Sequence, residues 1–196
     1  MALRALLGYA LYCVGGATAA FAGGRYAIGE WRQDDARRAW NDAQARSVVA
    51  LARRESALQS AVSATVVPGA PVAHLYIPRL GLDEIVLEGV DDDALNGGPG
   101  HLPGSALPGE KGNAVLSAHR DRHFARLGEI RLGDTVATET GTRRDRWVVV
   151  SKRVLAENQP ALFRTRDATL TLTTCWPIRY FGPAPERLVV TAKPVS

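Results

Sequence analysis

The chain contains two cysteines, Cys13 and Cys175, and only Cys175 lies in sequence patterned like a folded core. Cys13 falls in an apolar N-terminal run, so an intrachain disulfide is not expected, and an unpaired thiol in an exported chain calls for a chemical role. Cys175 closes the alternating run TLTLTTC, and the Trp176-Pro177 that follows forces the chain to leave a sheet. A cysteine taken at random is more often a small buried hydrophobe than a nucleophile. Three features weigh against that here: Cys175 has no second cysteine in the folded region, it stands at a strand end, and Arg179 and Arg187 follow it closely. Cations near a thiol favour the thiolate, the form that attacks carbon.

A thiol nucleophile needs a proton-transfer partner. The candidates are His74, His101, His119 and His123. His119 follows the apolar run NAVLSA and precedes Arg120-Asp121, so it too stands where a strand leaves the sheet. His74 reads as a strand residue, His101 lies in a Gly/Pro loop, and His123 begins a helical turn. Taken singly, each is more simply structural than catalytic. Of the two arginines, Arg187 opens the strand-like run RLVVTA, whereas Arg179 sits among Pro177, Tyr180, Gly182 and Pro183 in a loop suited to substrate recognition or plain solvation.

The elements that must hold these residues are short strands. After Pro71, β-branched runs alternate with Gly, Pro and Asp: Val72–Ile77, Glu84–Leu87, Asn113–Ala118, Asp134–Thr140, Arg146–Leu155, Ala168–Thr174 and Leu188–Ala192. Seven or eight short strands in about 125 residues point to a closed barrel or a sandwich. Phe124–Ile130 reads as one helical turn. Asn96–Gly112 is too rich in Gly and Pro for regular structure and is expected to wrap over the surface, its glycines serving turns rather than a phosphate cradle.

Ahead of this domain stand two further segments. Ala5–Gly24 is a run of twenty uncharged residues between Arg4 and Arg25. It has about the length that spans a bilayer, although Gly and Ala make it only moderately apolar. We read residues 1–24 as a retained signal-anchor, with a signal peptide cleaved after Ala17-Thr18-Ala19 or Ala20-Phe21-Ala22 as the competing reading. Either places the domain outside the cytoplasm, on a single-pass tether in the cytoplasmic (inner) membrane. Residues 25–71 form a helical stalk and linker: positions 30 to 63 lack Gly and Pro, and Ala36, Trp40, Ala43, Ser47/Val48 and Leu51 recur near helical spacing. That stripe suits the domain, a partner or the membrane surface, and a mostly solvated spacer is the simpler expectation. Thr65–Pro71 is the linker, and residues 72–196 form the catalytic domain.

The formal charge of +4, from 24 basic and 20 acidic residues, is interspersed rather than blocked, which argues against nucleic acid as a partner. One cysteine in the folded region excludes a Cys-rich metal site, and neither metal nor cofactor is expected.

Several of these runs resemble the sortase family in the family's order. Gly112-Asn113-Ala114-Val115-Leu116-Ser117-Ala118-His119-Arg120-Asp121, then Phe124-Ala125-Arg126-Leu127 and Gly133-Asp134, then Thr171-Leu172-Thr173-Thr174-Cys175 and Arg187 carry the likeness. It extends from about Leu75 to Ala192, and Gly98-Pro99-Gly100-His101, Pro108-Gly109 and Cys175-Trp176-Pro177 place it nearest to class D-like sortases and their Gram-negative relatives. Trp176 departs from the Tyr more familiar at that position, which bears on substrate fit rather than on the chemistry.

The resemblance implies a closed β-barrel and a cysteine transpeptidase that cleaves an LPXTG-like sorting signal between Thr and Gly and passes the acyl group to an amine. Cys175 would be the nucleophile, His119 the proton carrier, and Arg187 the cation at the developing charge. Thr174 and Arg179 would be substrate-binding or supporting residues. Three other readings compete: an L,D-transpeptidase, which would carry a Ser-x-Gly-Cys signature absent here; a hydrolase with water as acceptor; and a non-catalytic, membrane-tethered peptide-binding barrel.

Overall fold

A computed structural model describes residues 2–53, 67–141, 143–156 and 165–195. Strands β1 (Pro71–Ile77), β2 (Leu82–Glu88), β3 (Gly100–His101), β4 (Asn113–Ser117), β5 (Thr135–Thr140), β6 (Arg143–Ala156), β7 (Thr169–Trp176) and β8 (Glu186–Pro194) close into a barrel in the order β1-β2-β3-β4-β7-β8-β6-β5. The β2–β3 and β4–β7 pairs are parallel and the rest antiparallel. Closure leaves no sheet edge, so every strand finds hydrogen-bonding partners on both sides.

Alternation fills the interior. Leu75 and Ile77 of β1, Leu170 and Leu172 of β7, and Leu188 and Val190 of β8 meet Phe124, Leu127 and Trp147 in one buried cluster. The only polar atom of the Trp147 side chain is satisfied there, since its indole N–H donates to Thr138 Oγ1 at 2.8 Å.

Two elements differ from the sequence expectation. The Gly/Pro segment Asn96–Gly112 is not wholly irregular: it opens on the end of a short helix, α2 (Asp92–Gly97), capped by Asp91, and its Gly100–His101 adds β3 to the barrel. Gly100 allows this because a Cβ at that position would lie 2.1 Å from the Gly89 carbonyl oxygen. His101 is buried at 3% exposure, donating or accepting at Glu88 Oε2 (2.6 Å), Ser105 Oγ (2.9 Å) and the Ala106 carbonyl (3.0 Å), which pins the following loop.

The second difference is at the N-terminus. One continuous helix, α1 (Ala2–Arg53), runs through both segments that the sequence distinguishes. It is not simply solvated: Ala36 and Trp40 bury against Ile85 and Leu87 of β2. The Gln33 side-chain amide donates to the Gly97 carbonyl at 2.8 Å and accepts from the Ile85 N–H at 2.8 Å. Arg32, Arg37 and Gln44 pair with Asp93, Asp83 and Glu139. The expected spacer is therefore a strut lashed along the barrel over this stretch. The rest of the expected stalk helix and the start of the linker, residues 54–66, lie outside the described residues.

No helix among the described residues is long and apolar enough to cross a membrane. The Gly and Ala content of residues 5–24 accounts for this. Tyr9, Leu11, Tyr12, Val14 and Phe21 in that stretch are exposed.

Candidate active site

The site grows out of two strand pairings. Cys175 of β7 stands directly opposite Arg187 of β8, and Arg187 Nη1 donates to Cys175 Sγ at 3.4 Å. On the other side of β7, β4 runs parallel in an unbroken register that pairs Ser117 with Thr173. His119 follows β4 by two residues, and Ala118 N–H still bonds the Thr173 carbonyl at 3.2 Å, so the chain carries His119 alongside Cys175.

All three side chains line one cleft of about 450 Å³, with Thr173, Ser117 and Asp92 among its polar groups. Leu95, Leu102, Val115, Leu155 and Val189 supply apolar walls, a mixture suited to an extended peptide. A larger cavity of about 600 Å³ lies between α1, α2 and the turn at Pro68, Gly69 and Pro71, but neither thiol nor imidazole is among the described residues that line it. The chemistry belongs to the smaller cleft.

His119 is half-buried, and burial holds its pKa below the ordinary histidine value. Asp121 and then Asp92 pull in the opposite direction, while Arg122 and His123 add to the lowering. The imidazole is thus neutral at neutral pH and able to accept a proton. The other histidines are each engaged elsewhere: His74 with Asp83, His101 with Glu88, and His123 with Glu84 at 3.4 Å.

Two residues offered as substrate-binding or supporting do not line the cleft. Thr174 is 1% exposed, and its hydroxyl donates to the Ala118 carbonyl at 2.7 Å. Strand alternation turns it away from the cleft and leaves Thr173 there instead. Arg179 is exposed in the β7–β8 connection and does not line the cleft.

Arg120 escaped the sequence reading. Its guanidinium donates to the carbonyls of Pro177 (3.3 Å), Tyr180 (3.0 Å) and Gly182 (2.8 Å), and lies 5.7 Å from the Tyr180 ring centroid. The residue after His119 thereby holds the loop after Cys175. A connection rich in Pro and Gly must satisfy its carbonyls from elsewhere, which is the signal that pointed to such a donor. Gly128 supports the same corner, since a Cβ there would lie 3.3 Å from the Trp176 ring.

A thiol, a guanidinium and an imidazole gathered at the mouth of a closed barrel can carry out acyl transfer through a covalent thioester. The chain matches the Sortase domain model over residues 75–195 and belongs to the sortase family, whose members are cysteine transpeptidases. It is 33% identical over 124 residues to sortase D of Bacillus subtilis strain 168, an alignment covering 62% of this chain and spanning 63% of that relative's length. Among solved structures, a sortase D5 transpeptidase from Clostridium perfringens superposes with a TM-score of 0.67 at 20% identity, covering 87% of this chain and 99% of the other. Sortase C1 of Streptococcus agalactiae superposes with a TM-score of 0.59 at 30% identity, covering 64% and 68%.

Proposed function

We propose that this chain is a cysteine transpeptidase that cleaves an LPXTG-like sorting signal between Thr and Gly and transfers the acyl fragment to an amine. The observation that carries the reading is the 3.4 Å contact from Arg187 Nη1 to Cys175 Sγ in a cleft shared with His119. Cys175 sulfur attacks the scissile carbonyl and the S–C bond forms, while His119 takes the thiol proton. His119 then gives that proton to the departing glycine nitrogen as the C–N bond breaks, leaving a thioacyl enzyme. An incoming amine reverses the sequence: it forms a new C–N bond, loses its proton to His119, and expels the sulfur. Arg187, fixed by the β7–β8 pairing, meets the negative charge on sulfur or on the carbonyl oxygen in both steps.

The uncharged run 5–24 is the segment we assign to holding the domain at the outer face of the cytoplasmic membrane as a signal-anchor. Its exposed Tyr9, Leu11, Tyr12, Val14 and Phe21 support this reading. Alkaline extraction of membranes tests it: a soluble mature form beginning near Ala20 or Gly23 would identify a cleaved signal peptide instead.

Catalysis is tested by mass spectrometry of the full chain mixed with a peptide containing Leu-Pro-Glu-Thr-Gly. The wild type should gain an acyl adduct on Cys175, and Cys175→Ala should neither gain it nor cleave the peptide. Turnover by folded Cys175→Ala at the wild-type level would sink the catalytic reading.

A further inference from the structure

Of three consecutive aspartates, Asp92 lines the cleft, whereas Asp91 and Asp93 border the larger cavity and have structural work. Asp91 accepts the Ala94 N–H at 2.9 Å and caps α2. Asp93 faces Arg32 of α1 at 3.5 Å. Asp92 makes no hydrogen bond or ion pair among the described residues, and it lines the cleft with Cys175, His119 and Arg187. Its charge is felt at His119. Among the described residues that line the cleft it is the only carboxylate, beside Ser117, Thr173 and a set of apolar side chains.

We propose that Asp92 recognises the acceptor, and that the acceptor is therefore an amine that enters the cleft as an ammonium cation. The inference rests on the transpeptidase reading above. An acceptor amine is protonated in neutral water and cannot attack until it loses that proton. Asp92 draws the ammonium to the His119 side of the cleft, and the neutral imidazole takes the proton from nitrogen. The nitrogen lone pair then forms the C–N bond at the thioacyl carbonyl, the C–S bond breaks with its electron pair going to the sulfur beside Arg187, and the second nitrogen proton passes to that sulfur, leaving a neutral amide and the free thiol. Water carries no charge and gains nothing from Asp92, so the carboxylate biases the thioacyl enzyme toward transfer over hydrolysis.

A carboxylate near an imidazole could instead act only by tuning it, and Asp121 separates the two roles. Asp121 exerts the larger pull on His119, yet it does not line the cleft. If tuning were the whole effect, Asp121→Asn would disturb transfer more than Asp92→Asn.

The experiment follows the partition of one thioacyl enzyme between water and amine, using the full chain, the Leu-Pro-Glu-Thr-Gly peptide and two acceptors. One is a lysine-type amine, cationic at pH 7.5, and the other is hydroxylamine, neutral at that pH. Asp92→Asn should raise the concentration of cationic amine needed for half-maximal transfer about fivefold, the scale of one partly exposed charge contact. Its hydroxylamine dependence should stay within a factor of two of wild type, and Asp92→Glu should recover part of the loss. Asp121→Asn should leave the preference between the two acceptors unaltered. An Asp92→Asn enzyme with the wild-type partition for the cationic amine, or one impaired equally with both acceptors, overturns the proposal. Failure of the wild-type chain to form any adduct on Cys175 overturns the transpeptidase reading itself, and this inference with it.

Discussion

His119 and Cys175 are 56 positions apart, the same offset that separates every paired residue of β4 and β7, from Asn113↔Thr169 to Ser117↔Thr173. The parallel register thus sets the path by which the chain leaves β4 and brings His119 into the cleft that Cys175 lines. A one-residue slip of β4 against β7 would turn its side chains to the opposite face and separate His119 from Cys175. Thr174 guards that register at its upper end, where its hydroxyl holds the Ala118 carbonyl.

Thr174→Val keeps the shape and removes the donor. It should cost about 1 to 3 kcal/mol, the usual penalty for a buried unsatisfied group. Turnover should fall roughly ten- to a hundredfold as His119 loses its placement, with donor-peptide KM little changed. Thr174→Ser should restore both. Denaturant melts and peptide kinetics check this; a Val variant with wild-type turnover would show that the hydroxyl plays no part in placing His119.

Arg187→Ala should lower turnover about a hundredfold or more, because a preorganised donor at the developing charge is lost. Arg187→Lys should recover little, since an ammonium lacks the guanidinium fork. Arg179→Ala should stay near wild type. The three rates, measured on variants shown to be folded, decide between the arginines.

The lowered pKa of His119 has a definite sign. The proton-accepting form persists to a pH below the ordinary histidine value of 6.5, so the acidic limb of transfer should fall below that value. Removing the opposing carboxylate in Asp121→Asn should move the limb further down. Stability follows the same linkage. Between the folded and unfolded pKa values the unfolded chain binds more protons, so this contribution is complete above 6.5 and is lost as pH falls through the folded value. A pH–rate profile and an NMR titration of His119 measure both.

Arg120→Ala strips three carbonyls of the β7–β8 connection of their donor. That connection borders the thiol, so donor-peptide KM should rise several-fold with a smaller change in kcat, and proteolytic nicking between Pro177 and Gly182 should accelerate. Arg120→Lys should rescue only in part, because one ammonium cannot reach all three acceptors in the plane that the guanidinium uses.

Strand existence was legible wherever β-branched residues alternate, as in Thr169–Trp176, and so was the placement of Cys175, His119 and Arg187 at strand ends. β3 was hidden because it is two residues long and one of them is a glycine chosen for close backbone approach. α2 was hidden because six residues, DDALNG, cannot display a helical period. The face taken by Thr174 was not legible, because position beside a nucleophile leaves both a supporting and a substrate-binding role open; Cys175 and Thr173 line the cleft, and Thr174 points the other way. The Ala36/Trp40 stripe was visible, but a solvated spacer was the expectation, because the surface on β2 that receives the stripe exists only once the barrel is closed.

Gly29 fits against Arg122 and Asn96 at the end of the barrel where His119 stands, while Gln44 reaches Glu139 farther along. Residues 2–28 of α1 therefore project past the cleft end, a rod of about 40 Å at 1.5 Å per residue. Because the strut is lashed down by Gln33 and Trp40, the cleft does not swing on a leash; its distance and bearing from the N-terminal end of α1 are set by the rod. On the membrane-anchored reading proposed above, a substrate would meet the cleft at a fixed height and from a fixed side. Lengthening the rod by one residue would rotate the whole catalytic mouth by about 100° around the helix axis relative to its N-terminal end, so on that reading the phase of this helix, as much as its length, would set the side from which a substrate approaches.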